Sequence, residues 1–96
     1  MLKKGIVAIT ADGETEPLAQ GQCYFAWRSA PSGRVQAGGT ITRLVWTAPG
    51  AEERAGPGAY RLLFDDGGAA TVAITAHLYT ACGPQVLRFT ADGPPQ

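Results

Sequence analysis

Histidine occurs once in this chain, methionine once, cysteine twice and asparagine never, and only two of its 96 residues are lysine. Charge is sparse too, at 17% of residues, with eight basic side chains against eight acidic ones. A chain with no surplus of positive charge builds no basic groove over phosphates, so nucleic acid is not an expected partner. No apolar run approaches the roughly 18–20 residues that cross a bilayer, so no membrane span is expected. Met1-Leu2-Lys3-Lys4 imitates the charged start of an export signal, but the apolar run from Ile6 to Ile9 is too short for its core and Asp12 follows. The expectation is a cytoplasmic protein.

The scarce residue types also limit the chemistry. A structural zinc site takes four ligands at close spacing, and Cys23, Cys82 and His77 do not supply them. No metal and no cofactor is expected. In a reducing compartment the two cysteines are expected as thiols. The alternative, a disulfide, would close a long loop. Gly-x-Ser-x-Gly, the phosphate loop and the dinucleotide fingerprint are all absent. His77 would need a nucleophile and an orienting group to serve as a general base. Cys82 is the only candidate near it in sequence, so no catalytic residue is assigned.

What is abundant is glycine, proline and small β-type runs. Thirteen glycines and seven prolines divide a chain that is 45% apolar into short segments. Short β segments with this punctuation point to a sandwich or small barrel. The clearest signal is Ala59 to Tyr79. Tyr60, Leu62 and Phe64 alternate with Arg61, Leu63 and Asp65, a period of two that puts them on one face of a strand. Asp65-Asp66-Gly67-Gly68 supplies the positive φ that tight turns require. Val72, Ile74, Ala76 and Leu78 then form an aliphatic face opposite Thr71, Ala73, Thr75, His77 and Tyr79. The β-branched residues among them count against a helix. The aspartates are turn formers; metal ligation would need further carboxylates, and about 35 Å of extended chain separates Asp66 from His77.

The other strands follow the same logic. Lys4 to Ala11 carries Val7 and Ile9 on one face. Gln20 to Arg28 is the most aromatic, with Cys23, Phe25 and Trp27 together and Tyr24 and Arg28 opposed, a split that favours core packing over a nucleic-acid stacking platform. Arg34 to Ala37 is a short strand ended by Gly38-Gly39. Thr40 to Thr47 has Leu44 and Trp46 on one face and Ile41 and Val45 on the other, so both faces are apolar. Ala48 to Gly58 is the longest loop, Thr80 to Gln85 a turn, and Val86 to Ala91 the last strand, with Leu87 and Phe89 inward. Thr-Ala-Asp-Gly ends a strand at 10–13 and again at 90–93, a weak hint of duplication. One all-β domain over residues 1–96 is expected: a small antiparallel barrel or two-sheet sandwich of six to seven strands, neighbours pairing as a meander.

Three functions fit this reading. The first is a non-enzymatic module that acts by protein contact, chiefly as a homo-oligomer, with Ile41, Val45, His77 and Tyr79 at the interface. The second is a small carrier whose barrel encloses an apolar ligand among Trp27, Trp46, Phe64 and Phe89. The third is a small hydrolase or isomerase using His77.

Overall fold

Each of the six strands finds two neighbours, and the sheet closes on itself. The computed structural model describes residues 1–54, 56–80 and 83–96. The strands are β1 (Leu2–Ala11), β2 (Ala19–Ser29), β3 (Val35–Trp46), β4 (Gly58–Phe64), β5 (Ala69–Thr80) and β6 (Gly83–Ala91), and among the described residues there is one four-residue helix, α1 (Ala51–Arg54). The order around the barrel is β1-β2-β3-β6-β5-β4, every pair antiparallel. Two three-stranded meanders, β1-β2-β3 and β4-β5-β6, are thus joined along β3–β6 and β1–β4. No helix among the described residues is long and apolar enough to cross a membrane.

The hairpin of β4 and β5 forms as the alternation requires. Tyr60, Leu62, Phe64, Val72 and Ile74 are all buried, and Leu62 pairs with Ala70 across the ladder. At the turn, the Gly67 N–H donates to the Phe64 carbonyl at 3.0 Å, and the Phe64 N–H donates to the Gly68 carbonyl at 2.7 Å. Gly67 takes a φ of 92°, which glycine adopts without steric cost. The Gly68 N–H donates to Asp66 Oδ1 at 2.8 Å, and Lys3 Nζ lies 2.9 Å from the same carboxylate. These two contacts, the amide first, hold the Asp66 carboxyl below its ordinary range. Lys3 also lies 4.4 Å from the centre of the Phe64 ring, so this cation covers one end of the barrel.

The interior is filled by side chains. Phe25, fully buried, meets Phe89 at 5.2 Å between ring centres, Trp27 at 6.0 Å and Phe64 at 6.5 Å. Val7, Ile9, Cys23, Ile41, Leu62 and Leu87 complete the packing. Gly38 and Gly39 do not end a strand: β3 runs unbroken through them. Gly39 pairs with Phe25 on one side and Phe89 on the other. A Cβ there would overlap the Tyr24 carbonyl oxygen and come within 3.0 Å of Phe89 Cζ. The glycine lets two phenyl rings meet across a narrow barrel, the small-against-large packing that tight barrels need.

Two bulges alter the expected faces. In β3, Gln20 pairs with Val45 but Gln22 pairs with Thr42, so Arg43 and Leu44 together oppose Gly21. Arg43 takes a φ of 54°, the left-handed conformation that inserts one residue. Ile41 before the bulge and Leu44 and Trp46 after it therefore all turn inward, while Val45 turns out at 61% exposure. The two-sided apolar character expected of 40–47 is a change of phase on one inward face. In β5, Ile74 pairs with Phe89 but Ala76 pairs with Arg88, leaving Thr75 extra. Leu78 is consequently 40% exposed and His77 moves to the inner side, the reverse of the expected faces.

The segment 48–58 contains α1, whose Ala51 is buried at the barrel end. The Tyr60 hydroxyl donates to the Gly56 carbonyl at 2.8 Å and ties this connection to β4. The repeated Thr-Ala-Asp-Gly closes β1 and β6, which occupy different positions in the two meanders, so the echo does not mark a duplication of the halves.

Candidate functional site

The bulges in β3 and β5 bring Trp46 and His77 to the same end of the barrel. Their rings lie 5.7 Å apart, inclined by 46°. Gln85 stands between them from β6. Its Oε1 accepts a hydrogen bond from the Trp46 indole N–H at 3.2 Å and lies 2.9 Å from His77 Nε2. Its amide nitrogen donates to Glu52 Oε1 of α1 at 2.6 Å. All four groups are half-buried.

The chemistry of the partners fixes the protons. An indole N–H only donates and a carboxylate only accepts, so the Gln85 amide has one possible orientation. His77 faces its oxygen and must donate from Nε2. In this contact Nε2 therefore carries a proton, and while the bond holds this nitrogen takes none from a substrate. The cluster fastens α1 over the barrel end; it has the form of a clasp. Gln85, expected in a turn, and Glu52, within the loop expected from Ala48 to Gly58, were not singled out by the sequence. Nothing in a pattern of two announces a phase slip, and without it neither residue points toward His77.

The aromatic set proposed for a ligand does not share one chamber. Phe64 and Phe89, 2% and 3% exposed, pack on Phe25 in the core. Trp27 and Trp46 lie at opposite ends: in the β2–β3 ladder Trp46 pairs with Ala19, whereas Trp27 pairs with Ala37. A ligand among the four would have to displace the phenyl rings. Surface depressions of about 560 and 600 Å³ lie outside the barrel, one beside Ala69–Thr71 and residues 92–96, the other beside Arg34 and Asp92. Neither is lined by these four aromatics.

Of the residues expected at an interface, Ile41 is fully buried in the core and offers no surface. His77 belongs to the clasp. Val45 is exposed, and the Tyr79 side chain lies outside the described residues, as does Cys82. Cys23 is a free, buried thiol whose burial pushes it up to about 12. Among the described residues no group of three or more metal-ligating side chains converges.

The outer wall carries what the interior does not. Leu63 is 53% exposed and Ile6 45%, both outward on neighbouring strands, with Ala8 directly beside Leu63 in the β1–β4 ladder. Continuing across the sheet, Ala8 pairs with Gln20 and Gln20 with Val45. An uncharged row thus crosses four strands. Sequence alternation had marked Val45 and missed Ile6 and Leu63, because which of two faces looks outward depends on closure of the barrel.

No family model, no curated protein and no solved structure matches this chain.

Proposed function

We propose that the protein is a non-enzymatic cytoplasmic β-barrel module that works by protein contact and associates with itself. The observation that carries this reading is the distribution of apolar groups: a solid interior, and large aliphatic side chains on the outside at Ile6, Val45 and Leu63. Exposed apolar surface bounded by polar residues is characteristic of contact sites. A small domain with a modest core also gains from covering such surface with a second copy.

The interior packing favours this reading over a carrier, since the aromatic core holds its own side chains at van der Waals contact. The engagement of His77 Nε2 by Gln85, itself held by Trp46 and Glu52, favours it over a hydrolase or isomerase, since this ring nitrogen is occupied by a structural contact. The test is the mass of the native protein by light scattering and sedimentation equilibrium from low to high micromolar concentration. A mass that rises with concentration toward a discrete oligomer is the expected result. A constant monomer mass throughout would defeat the self-association reading.

A further inference from the structure

We propose that Asp92–Gly93 is a site of spontaneous backbone modification, where the folded chain converts aspartate to isoaspartate, and that the same dipeptide at Asp66–Gly67 is held unreactive by its turn. The inference is independent of any partner, since water is the only co-reactant.

Aspartate is followed by glycine at 12–13, 66–67 and 92–93. Glycine has no side chain to hinder the reacting centre. In the reaction the glycine backbone nitrogen attacks Cγ of the neutral carboxyl. An N–Cγ bond forms, the Cγ–OH bond breaks, and the amide proton leaves with that hydroxyl as water. Water then adds to the resulting five-membered imide. Opening at the Cγ carbonyl restores aspartate. Opening at the backbone carbonyl routes the chain through the β carbon and leaves the α-carboxylate as the side group. One water is lost and one gained, and nothing is oxidised or reduced. The step requires a carboxyl free to take up a proton and rotate, and a glycine N–H free to turn toward it.

Asp66 meets neither requirement. Its Oδ1 accepts from the Gly68 N–H at 2.8 Å, and its Oδ2 lies 2.9 Å from Lys3 Nζ. Both contacts favour the ionised carboxylate, which resists attack by a nitrogen nucleophile. The Gly67 N–H is itself engaged, donating to the Phe64 carbonyl at 3.0 Å. Asp12 is intermediate. Its N–H donates to the Ala59 carbonyl at 3.2 Å, and the Glu14 N–H donates to the Ala11 carbonyl at 3.0 Å. These bonds bracket the dipeptide and hold Gly13 at a φ of 84°, so the intervening peptide plane turns only if the β1–β2 connection opens.

Asp92 is the least restrained. The β5–β6 ladder ends where Ala91 pairs with Val72, and the next backbone hydrogen bonds along the chain join Gln96 to Ala69 at 2.8 and 3.0 Å. Between these anchors residues 92–95 arch over the depression of about 560 Å³ beside Arg61 and Thr71. Asp92 is exposed, and neither its carboxylate nor the Gly93 N–H has a hydrogen-bond partner among the described residues. Thr-Ala-Asp-Gly is identical at 10–13 and 90–93, so a difference in rate between these two in the folded chain reports the surrounding structure.

The experiment incubates the native chain at mildly acidic pH and physiological temperature, beside the same chain held unfolded in guanidinium chloride. Proteolysis with electron-transfer fragmentation, which separates isoaspartate from aspartate at equal mass, follows each dipeptide. In the unfolded chain, which imposes little local restraint, the three should isomerise within about threefold of one another. In the folded chain Asp92 should stay within about threefold of its unfolded rate, while Asp66 falls at least about tenfold below its own, since several hydrogen bonds must break first. Asp12 should fall between them. Asp92→Glu, which would have to close a six-membered ring, should lose the signal at 92 and leave the other two rates unchanged. Folded Asp92 protected as strongly as Asp66 overturns the site. Folded Asp66 reacting as fast as Asp92 overturns the protection assigned to its turn, and Asp12 outpacing Asp92 overturns the role of the arch.

Discussion

His77 stands directly across the β5–β6 ladder from Leu87, a residue 1% exposed, so imidazole and isobutyl group project to the same inner side of the barrel. A histidine in that position is held by its neighbours, and the Gln85 amide dictates where its proton sits. Long-range ¹⁵N–¹H correlations should show a proton on Nε2 of His77. In Gln85→Leu the indole N–H of Trp46 and the Glu52 carboxylate lose this partner, a loss of about 1–3 kcal/mol in urea denaturation accompanied by a shift in Trp46 emission. A variant as stable as wild type would show that the clasp contributes nothing.

Gly39 has no room for a methyl group. Gly39→Ala should destabilise the barrel by about 3 kcal/mol or prevent folding, because the new carbon strikes a carbonyl oxygen that the ladder holds in place. Gly56, whose added Cβ would meet nothing within 4 Å among the described residues and which has no positive φ, provides the control: Gly56→Ala should change stability by less than about 0.5 kcal/mol. Thermal unfolding of the two variants side by side decides the matter.

Arg43 occupies a backbone conformation that its neighbours in the strand do not share. Valine is the better strand former, yet Arg43→Val should cost about 1–2 kcal/mol, since a β-branched side chain crowds the left-handed region. Arg43→Gly should match or slightly exceed the wild type. Were valine tolerated as well as glycine at this site, the bulge would not be where the β2–β3 register puts it.

These bulges also explain what the sequence conceals. The β4–β5 hairpin, the alternation of β1 and the aromatic face of β2 were all legible, because an unbroken period of two reports a regular ladder. Barrel against sandwich was not, since closure depends on β1 meeting β4, residues 49 to 57 positions apart. Gly38-Gly39 read as a break because glycine is a poor strand former in isolation; its use here comes from Phe25 and Phe89 on either side. The candidate interface suffered most. One inserted residue at Arg43 sends Ile41 to the core, another at Thr75 turns His77 inward, and both positions look ordinary to a pattern that assumes no insertions.

The buried thiol of Cys23 predicts an alkaline limit. Its value is raised from 9.0 to about 12, so the folded chain keeps a proton that the unfolded chain releases. The resulting stabilisation is fully present below pH 9 and is lost as the pH climbs toward 12, a drop on the order of 4 kcal/mol across that window. With Cys82→Ser in both chains, Cys23→Ala should have a lower baseline stability and a shallower decline above pH 9. Parallel declines would assign the effect to other groups.

The order of strands around the barrel also bears on how the molecule can be divided. Each meander is continuous in sequence, and the connection between them passes over one end at residues 47–57. Cut there, the chain would yield two fragments, each with two raw edges and half of an apolar lining, neither able to cover itself. Mixed together they have ten backbone residue pairs, five along each join, with which to recognise one another. This makes the protein a natural candidate for fragment complementation, with the aromatic contact between Phe25 of the first piece and Phe89 of the second reporting reassembly.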